Sequence, residues 1–122
     1  MIREPIDFIK DITDSIDHIE LFLEGFNFDK FCEDRKTVYA IIRAVEIIGE
    51  AVKNIPDTIR KDNPDIPWKQ IAGMRDKLIH GYFEVDIVIL WKTATEELLQ
   101  LKSPFLKILE IEMTKRSTKK TK

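Results

Sequence analysis

The segment Met74-Arg75-Asp76-Lys77-Leu78-Ile79-His80-Gly81-Tyr82-Phe83 brings three chemically complementary side chains close together in the chain. An arginine can grip a phosphate with a fork of N–H donors and stabilise the charge that develops on it. A histidine can move a proton near neutral pH. Arg75, His80 and Tyr82 are therefore suited to cleaving a phosphodiester bond in RNA, where the substrate's own 2′-hydroxyl could attack. The same three types also serve, and more often, as a salt bridge, a helix cap and a packing residue. Residue type alone leaves both open.

The elements that would position them are legible as periodicities. Pro67-Trp68 opens a helix, with proline at a first-turn position that tolerates its missing N–H. The spacing predicts that this helix runs to about His80 and is closed by Gly81 in a left-handed cap. Ile71, Met74, Leu78 and Ile79 form its apolar face, and Arg75 falls inside that face, about 40° from Ile71. A guanidinium there needs an acidic or carbonyl partner, because an unpaired buried charge is too costly. His80 lies nearly opposite Ile71 in the last turn, where the helix C-terminus favours its protonated form. Tyr82 follows the cap, off the helix. Arg75 and His80 are then about 140° apart around the axis and roughly 7–8 Å apart along it. They converge better if two helix ends meet across a two-fold axis.

A second group, Arg43, Glu46 and Glu50, runs along one edge of a long preceding helix. It is either an exposed ion-pair row of little energetic weight or the place where Glu46 or Glu50 anchors and orients Arg75. Asp76, beside Arg75, joins this candidate orienting group.

The rest of the chain supplies a scaffold. Ile9, Ile12, Ile16, Ile19 and Leu23 recur at helical spacing, with Asp7, Asp11, Asp14, Asp17 and Glu20 on other sides. Gly25 and Asn27-Phe28-Asp29 stop this helix, and Asp29 is placed to cap the next. That second helix is predicted from about Asp29 to Asn54, ahead of Pro56, and is apolar around much of its circumference, as a central helix would be. Gly49 in its main stripe would let another backbone come close. Residues 55–67 read as a connector with one helical turn at 57–61. A last helix starts near Asp86, with Pro104 kinking or restarting it and Ser103 as a new cap. No strand pattern is evident. The predicted fold is all-α, an antiparallel bundle of four to five helices with a long central second helix. The domain spans residues 1–114, and residues 115–122 form a basic, disordered tail.

With 122 residues, 43% of them hydrophobic and 34% charged, the chain suits one soluble domain. Its net charge of -2 argues against a broad nucleic-acid-coating surface. The charge is uneven: the tail from Lys115 to Lys122 holds five basic groups, leaving 15 basic against 22 acidic residues in the body. Such a tail is a solvated end, or an electrostatic tether for RNA or an acidic partner. One cysteine, Cys32, permits no internal disulfide; with no signal-peptide pattern or membrane span, a cytoplasmic location is expected. His18 and His80 lack companions at metal-ligand spacing, so neither metal nor cofactor is expected. Trp68 and Trp91 are expected as core or interface anchors rather than base-stacking platforms.

Arginine, four residues, histidine, one residue, tyrosine, as in Arg75, His80 and Tyr82, resembles the motif of the HEPN superfamily of helical ribonucleases. The context is similar to its HepT-like branch: Arg43-Ala44-Val45-Glu46-Ile47-Ile48-Gly49-Glu50-Ala51 resembles the second helix, and Pro67-Trp68-Lys69-Gln70-Ile71-Ala72-Gly73-Met74-Arg75-Asp76 the approach to the catalytic helix. The resemblance covers nearly the whole chain except the tail. It implies a HEPN-like fold and a metal-independent endoribonuclease acting on cellular RNA, tRNA included, as the toxin of a type VII toxin–antitoxin pair. It implies a homodimer, or a larger assembly, with two motif copies in one cleft. Arg75 and His80 would be catalytic. Tyr82 would support the site and accept AMP from an MntA-type nucleotidyltransferase antitoxin, adding negative charge and bulk where RNA phosphate must sit. The alternative is a non-catalytic helical module that binds a nucleotidyltransferase or a nucleotide.

Overall fold

The computed structural model describes residues 2–80 and 84–120, with the backbone alone at 79–80 and 119–120. Three long helices dominate: α1 (Pro5–Phe22), α3 (Arg35–Lys53) and α8 (Lys102–Lys120). Shorter helices fill the joins: α2 (Phe28–Glu33), α4 (Asp57–Asp62), α5 (Trp68–Ala72), α6 (Met74–Leu78) and α7 (Ile87–Lys92). The fold is the all-α bundle expected, although the described residues form eight α-helices rather than four to five, because local breaks divide the predicted ones. The long helix α3 is central. It packs on α1 along one side and meets α2, α5 and α6 elsewhere, while α8 lies against α1.

The apolar stripes meet in one core. Ile9, Ile12, Ile16 and Ile19 of α1 are fully buried against Ile41, Val45, Ile48 and Val52 of α3, with Phe31, Leu90 and Phe105 closing the ends. Trp68 is buried edge-on to Phe105, its indole N–H donating to the Asn63 carbonyl at 3.0 Å. Trp91 is half-buried against Phe28 and Phe31. Both tryptophans are thus packing anchors. Arg60 closes the connector by donating to the carbonyls of Val52, in the last turn of α3, and of Ile55, just beyond it. Lys102 ties α8 to α1 through Glu20 and Asp17, both at 2.9 Å. Those hydrogen bonds, Glu20 first, raise its pKa above the usual lysine value.

Several boundaries differ from the periodicity, each for a local reason. The predicted second helix is two helices, broken at Asp34, whose carboxylate accepts the Thr37 N–H at 3.0 Å and so starts α3 afresh. Asn27, not Asp29, caps α2, accepting from the Lys30 N–H at 2.8 Å. Asp86 caps α7 as expected, accepting from Ile89. Beyond α7 the chain does not simply kink at Pro104. A π-helical turn (Thr93–Glu97) is followed by a 3₁₀ turn (Leu99–Leu101), which absorbs the backbone disruption ahead of the proline. The helix α8 then begins at Lys102, so Ser103 starts nothing. It continues past Thr114 to Lys120, through positions where the sequence predicts a disordered tail. Arg116 pairs with Glu4, fastening that end to the start of α1, while Lys115 pairs with Glu112 within α8.

Candidate active site

The motif helix is where sequence and structure differ most. Instead of one helix from Pro67 to His80, α5 ends at Gly73, and α6 restarts at Met74 and stops at Leu78. Gly73 carries helix-ending angles of φ -93° and ψ 3°, with its N–H on the Lys69 carbonyl at 3.1 Å. From Leu78 the chain extends: β1 (Ile79–His80) pairs antiparallel with β2 (Glu84–Val85), placing His80 opposite Glu84. The sequence showed no strand, because a two-residue ladder is too short to leave an alternation. His80 therefore does not sit in a helical last turn. The angular separation of Arg75 and His80, and the helix-end effect on His80, do not apply. Gly81 and Tyr82 lie outside the described residues, as does the side chain of His80.

Breaking the helix at Gly73 changes the setting of Arg75. Met74 and Leu78 are buried, whereas Arg75, Asp76 and Lys77 are exposed. Arg75 is not inside the apolar face: its side chain is 49% exposed, so it carries no large burial penalty. It is nonetheless tethered. Its Nε donates to Glu46 Oε2 at 3.1 Å, joining α6 to α3. Its Nη1 lies 3.8 Å from Asp76 Oδ1, an ion pair too long for a hydrogen bond. Arg75 is thus oriented through one nitrogen while the two terminal nitrogens make no hydrogen bond among the described residues. The outer edge of the guanidinium fork is therefore open to an anion.

Of the other orienting candidates, Glu46 is brought to Arg75 and Glu50 is not. Glu50 reaches Lys53 at 3.4 Å on its own helix. Arg43 is exposed and makes no ion pair or side-chain hydrogen bond among the described residues. Gly49 allows this part of α3 to approach α5: a Cβ built there would lie 3.5 Å from the Ile71 carbonyl and 3.7 Å from that of Ala72. Two residues on the exposed stripe of α3, Lys36 and Tyr39, went unremarked in the sequence. Lys36, Arg43 and Glu50 repeat at seven, as do Tyr39 and Glu46, and that interval was the available signal.

A cleft of about 730 Å³ opens beside α6, lined by Met74, Lys77, Leu78, Ile89 and Thr93 among others. Arg75 does not line it, since Lys77 lies about 160° from Arg75 around α6. Among the described residues no three His, Cys, Asp or Glu side chains gather as a metal-binding group. His18 is exposed and stacks on Phe22. No described helix is long and apolar enough to cross a membrane.

Residues 12–108, which include the whole motif segment, match the family model "Ribonuclease HepT-like". The chain belongs to the HepT-like ribonuclease family. It is 49% identical over 108 residues to a protein named "Probable ribonuclease HepT" from Thermococcus cleftensis, covering 88% of this chain and 98% of that one. It is 45% identical over 103 residues to an RNase-named protein of Methanocaldococcus jannaschii, covering 84% and 85% of the two chains. Another RNase-named relative, from Caldanaerobacter subterraneus, is 39% identical over 110 residues, 90% of this chain and 98% of its own. No solved structure matches the chain. The family model stops at 108, so the basic end of α8 lies beyond it.

Proposed function

We propose that this chain is a metal-independent endoribonuclease, the toxin of a type VII toxin–antitoxin pair, cleaving cellular RNA in a cleft shared by two copies. The observation that carries this is the state of Arg75. It is oriented by Glu46 through Nε, half-exposed, with its terminal nitrogens unbonded among the described residues, and it lies within a segment matched to a ribonuclease family.

In this mechanism Arg75 holds the scissile phosphate and stabilises charge on its oxygens as the pentavalent transition state forms. His80 takes the proton from the 2′-hydroxyl, whose oxygen bonds to phosphorus as the bond to the 5′-oxygen breaks. The departing 5′-oxygen takes that proton back from His80, and a 2′,3′-cyclic phosphate is left. Glu46 holds Arg75 in register, and Asp76 adds a weaker pull. Tyr82 supports the site and accepts AMP from an MntA-type partner: its phenol oxygen attacks the α-phosphate of ATP and pyrophosphate leaves. The added phosphate repels the RNA backbone.

Purified protein incubated with total RNA and tRNA, with and without chelator, tests this beside His80→Ala. Cleavage that needs His80 and survives chelation is the expected result. Intact RNA from folded, unmodified protein would favour a binding module for a nucleotidyltransferase or nucleotide, a role the acidic body suits. For the regulatory half, the antitoxin and ATP should add AMP mass to the wild type and none to Tyr82→Phe. A mass shift persisting on that variant moves the modified residue elsewhere.

A further inference from the structure

The outward stripe of α3 runs from the Arg75–Glu46 pair towards the helix N-terminus, and its chemistry changes along the way. At 100° per residue, Lys36, Tyr39, Arg43, Glu46 and Glu50 all point within a narrow sector of α3. From Glu46 back to Lys36 is roughly 15 Å at the helical rise. Both acids in the stripe are engaged, Glu46 by Arg75 and Glu50 by Lys53. Lys36 and Arg43 are exposed and make no ion pair or side-chain hydrogen bond among the described residues. Tyr39 between them is 63% exposed and makes no ring contact among the described residues. A solvent-facing aromatic ring flanked by two unpaired cations, beginning one turn from the arginine that would hold the scissile phosphate, is a surface without a structural task in this fold.

We infer that this stripe is a single-strand RNA track, in which the ring of Tyr39 stacks on a base and Arg43 and Lys36 take phosphates flanking the cleavage position. The inference rests on the ribonuclease reading of Arg75 and adds the substrate class, unpaired RNA, and the direction in which the strand leaves the site. Towards the C-terminus the stripe presents Glu50, which repels phosphate; towards the N-terminus it presents cations. Stacking needs an unpaired base, because the bases of a duplex are stacked on their neighbours and inaccessible to a side chain. Charge complementarity favours RNA over a second copy of this acidic chain: the face is cationic and polar, and the aliphatic residues beside it, Ile42 and Ile47, are already partly buried.

The test uses full-length protein carrying His80→Ala, so that the probe survives, and a fluorescein-labelled ten-nucleotide single-stranded RNA read by anisotropy. Tyr39→Ala should weaken binding about tenfold, within the range for losing one base–aromatic stack, while Tyr39→Phe and Tyr39→Trp bind as before. Arg43→Ala should lower the slope of log affinity against log salt by about 0.7, the loss of one phosphate contact on a single strand. The same sequence as a duplex should bind more weakly and show no response to Tyr39→Ala. Unchanged single-strand binding by Tyr39→Ala, or equal loss in Tyr39→Phe, overturns the track. So does a change of oligomeric mass in Tyr39→Ala, which would make the stripe a protein interface. Failure of the ribonuclease reading shows separately: chain with its native His80 leaves RNA intact. If that chain cleaves and Tyr39→Ala cleaves equally well, only the track fails.

Discussion

Arg75 is bound where binding does least harm to the phosphate-holding role proposed for it. The Nε–Glu46 contact fixes the plane of the guanidinium and leaves its outer edge for an anion. Because the pair is only partly buried, it contributes little to stability; the value proposed for it is geometric. Glu46→Gln should lower the melting stability by no more than about 1 kcal/mol, yet reduce kcat/KM on a fluorogenic RNA about tenfold or more, because a displaced catalytic group costs far more in rate than in fold. Glu50→Gln, whose native partner is Lys53, should lose none of that rate, because Glu50 does not touch Arg75. Parallel kinetics and thermal unfolding of the two variants decide it: equal losses would mean that Glu46 is not the orienting residue. The need to compensate a cation made these two glutamates candidates in the sequence, beside an ordinary exposed ion-pair row. It could not choose between them, since they stand four residues apart on one face. The choice depends on where α6 lies along α3, which is set by tertiary contact. The half-exposure of Arg75 was hidden for a related reason, because an unbroken helix through Gly73 would have turned it inward.

At the scale of the elements, α3 meets α5, which leads into the proposed site, at Gly49. The Ile71 and Ala72 carbonyls approach so closely there that a single methyl just fits. Gly49→Ala should therefore be tolerated and even stabilise by up to about 1 kcal/mol, from better helix propensity. Gly49→Leu should destabilise by about 1–3 kcal/mol through overpacking, and should lose RNA cleavage beyond what unfolding explains, because α5 carries α6 and Arg75 with it. Denaturant titration alongside activity at a temperature where both variants are folded would check this; equal behaviour of the two would show that the close approach is unimportant. This close approach was legible in the sequence as a glycine inside an apolar stripe, and so were the stripe of α1, the Asp86 cap and the all-α bundle. The breaks were not. Asp34 and Gly73 interrupt patterns whose periodicity reads through them, since a one-residue break barely shifts a 3.6-residue repeat. The π-helical turn at Thr93–Glu97 is invisible for the same reason, and so is a ladder of only two residue pairs after Leu78.

For the whole molecule, the proposed shared cleft needs a surface on which two copies meet. Each copy offers one Arg75 on an open surface, and the strand paired with that of His80, Glu84–Val85, leads directly into α7. There Val88 is 61% exposed and Ile89 is 41% exposed, apolar surface immediately after the motif. Burying such a patch against its symmetry mate would bring two motif segments together and exclude water from both. Light scattering at micromolar concentration should give a mass of at least two chains. Val88→Lys, which would place an ammonium in that contact, should shift the protein to monomer and remove most of its RNA cleavage while circular dichroism stays helical. Leu106→Lys, on an exposed part of α8 remote from the motif in sequence, is the control and should change neither mass nor activity. A native monomer would end the shared cleft, and so would a Val88→Lys monomer that cleaves as the native protein does; in either case Arg75 and His80 of a single chain would have to perform the reaction together.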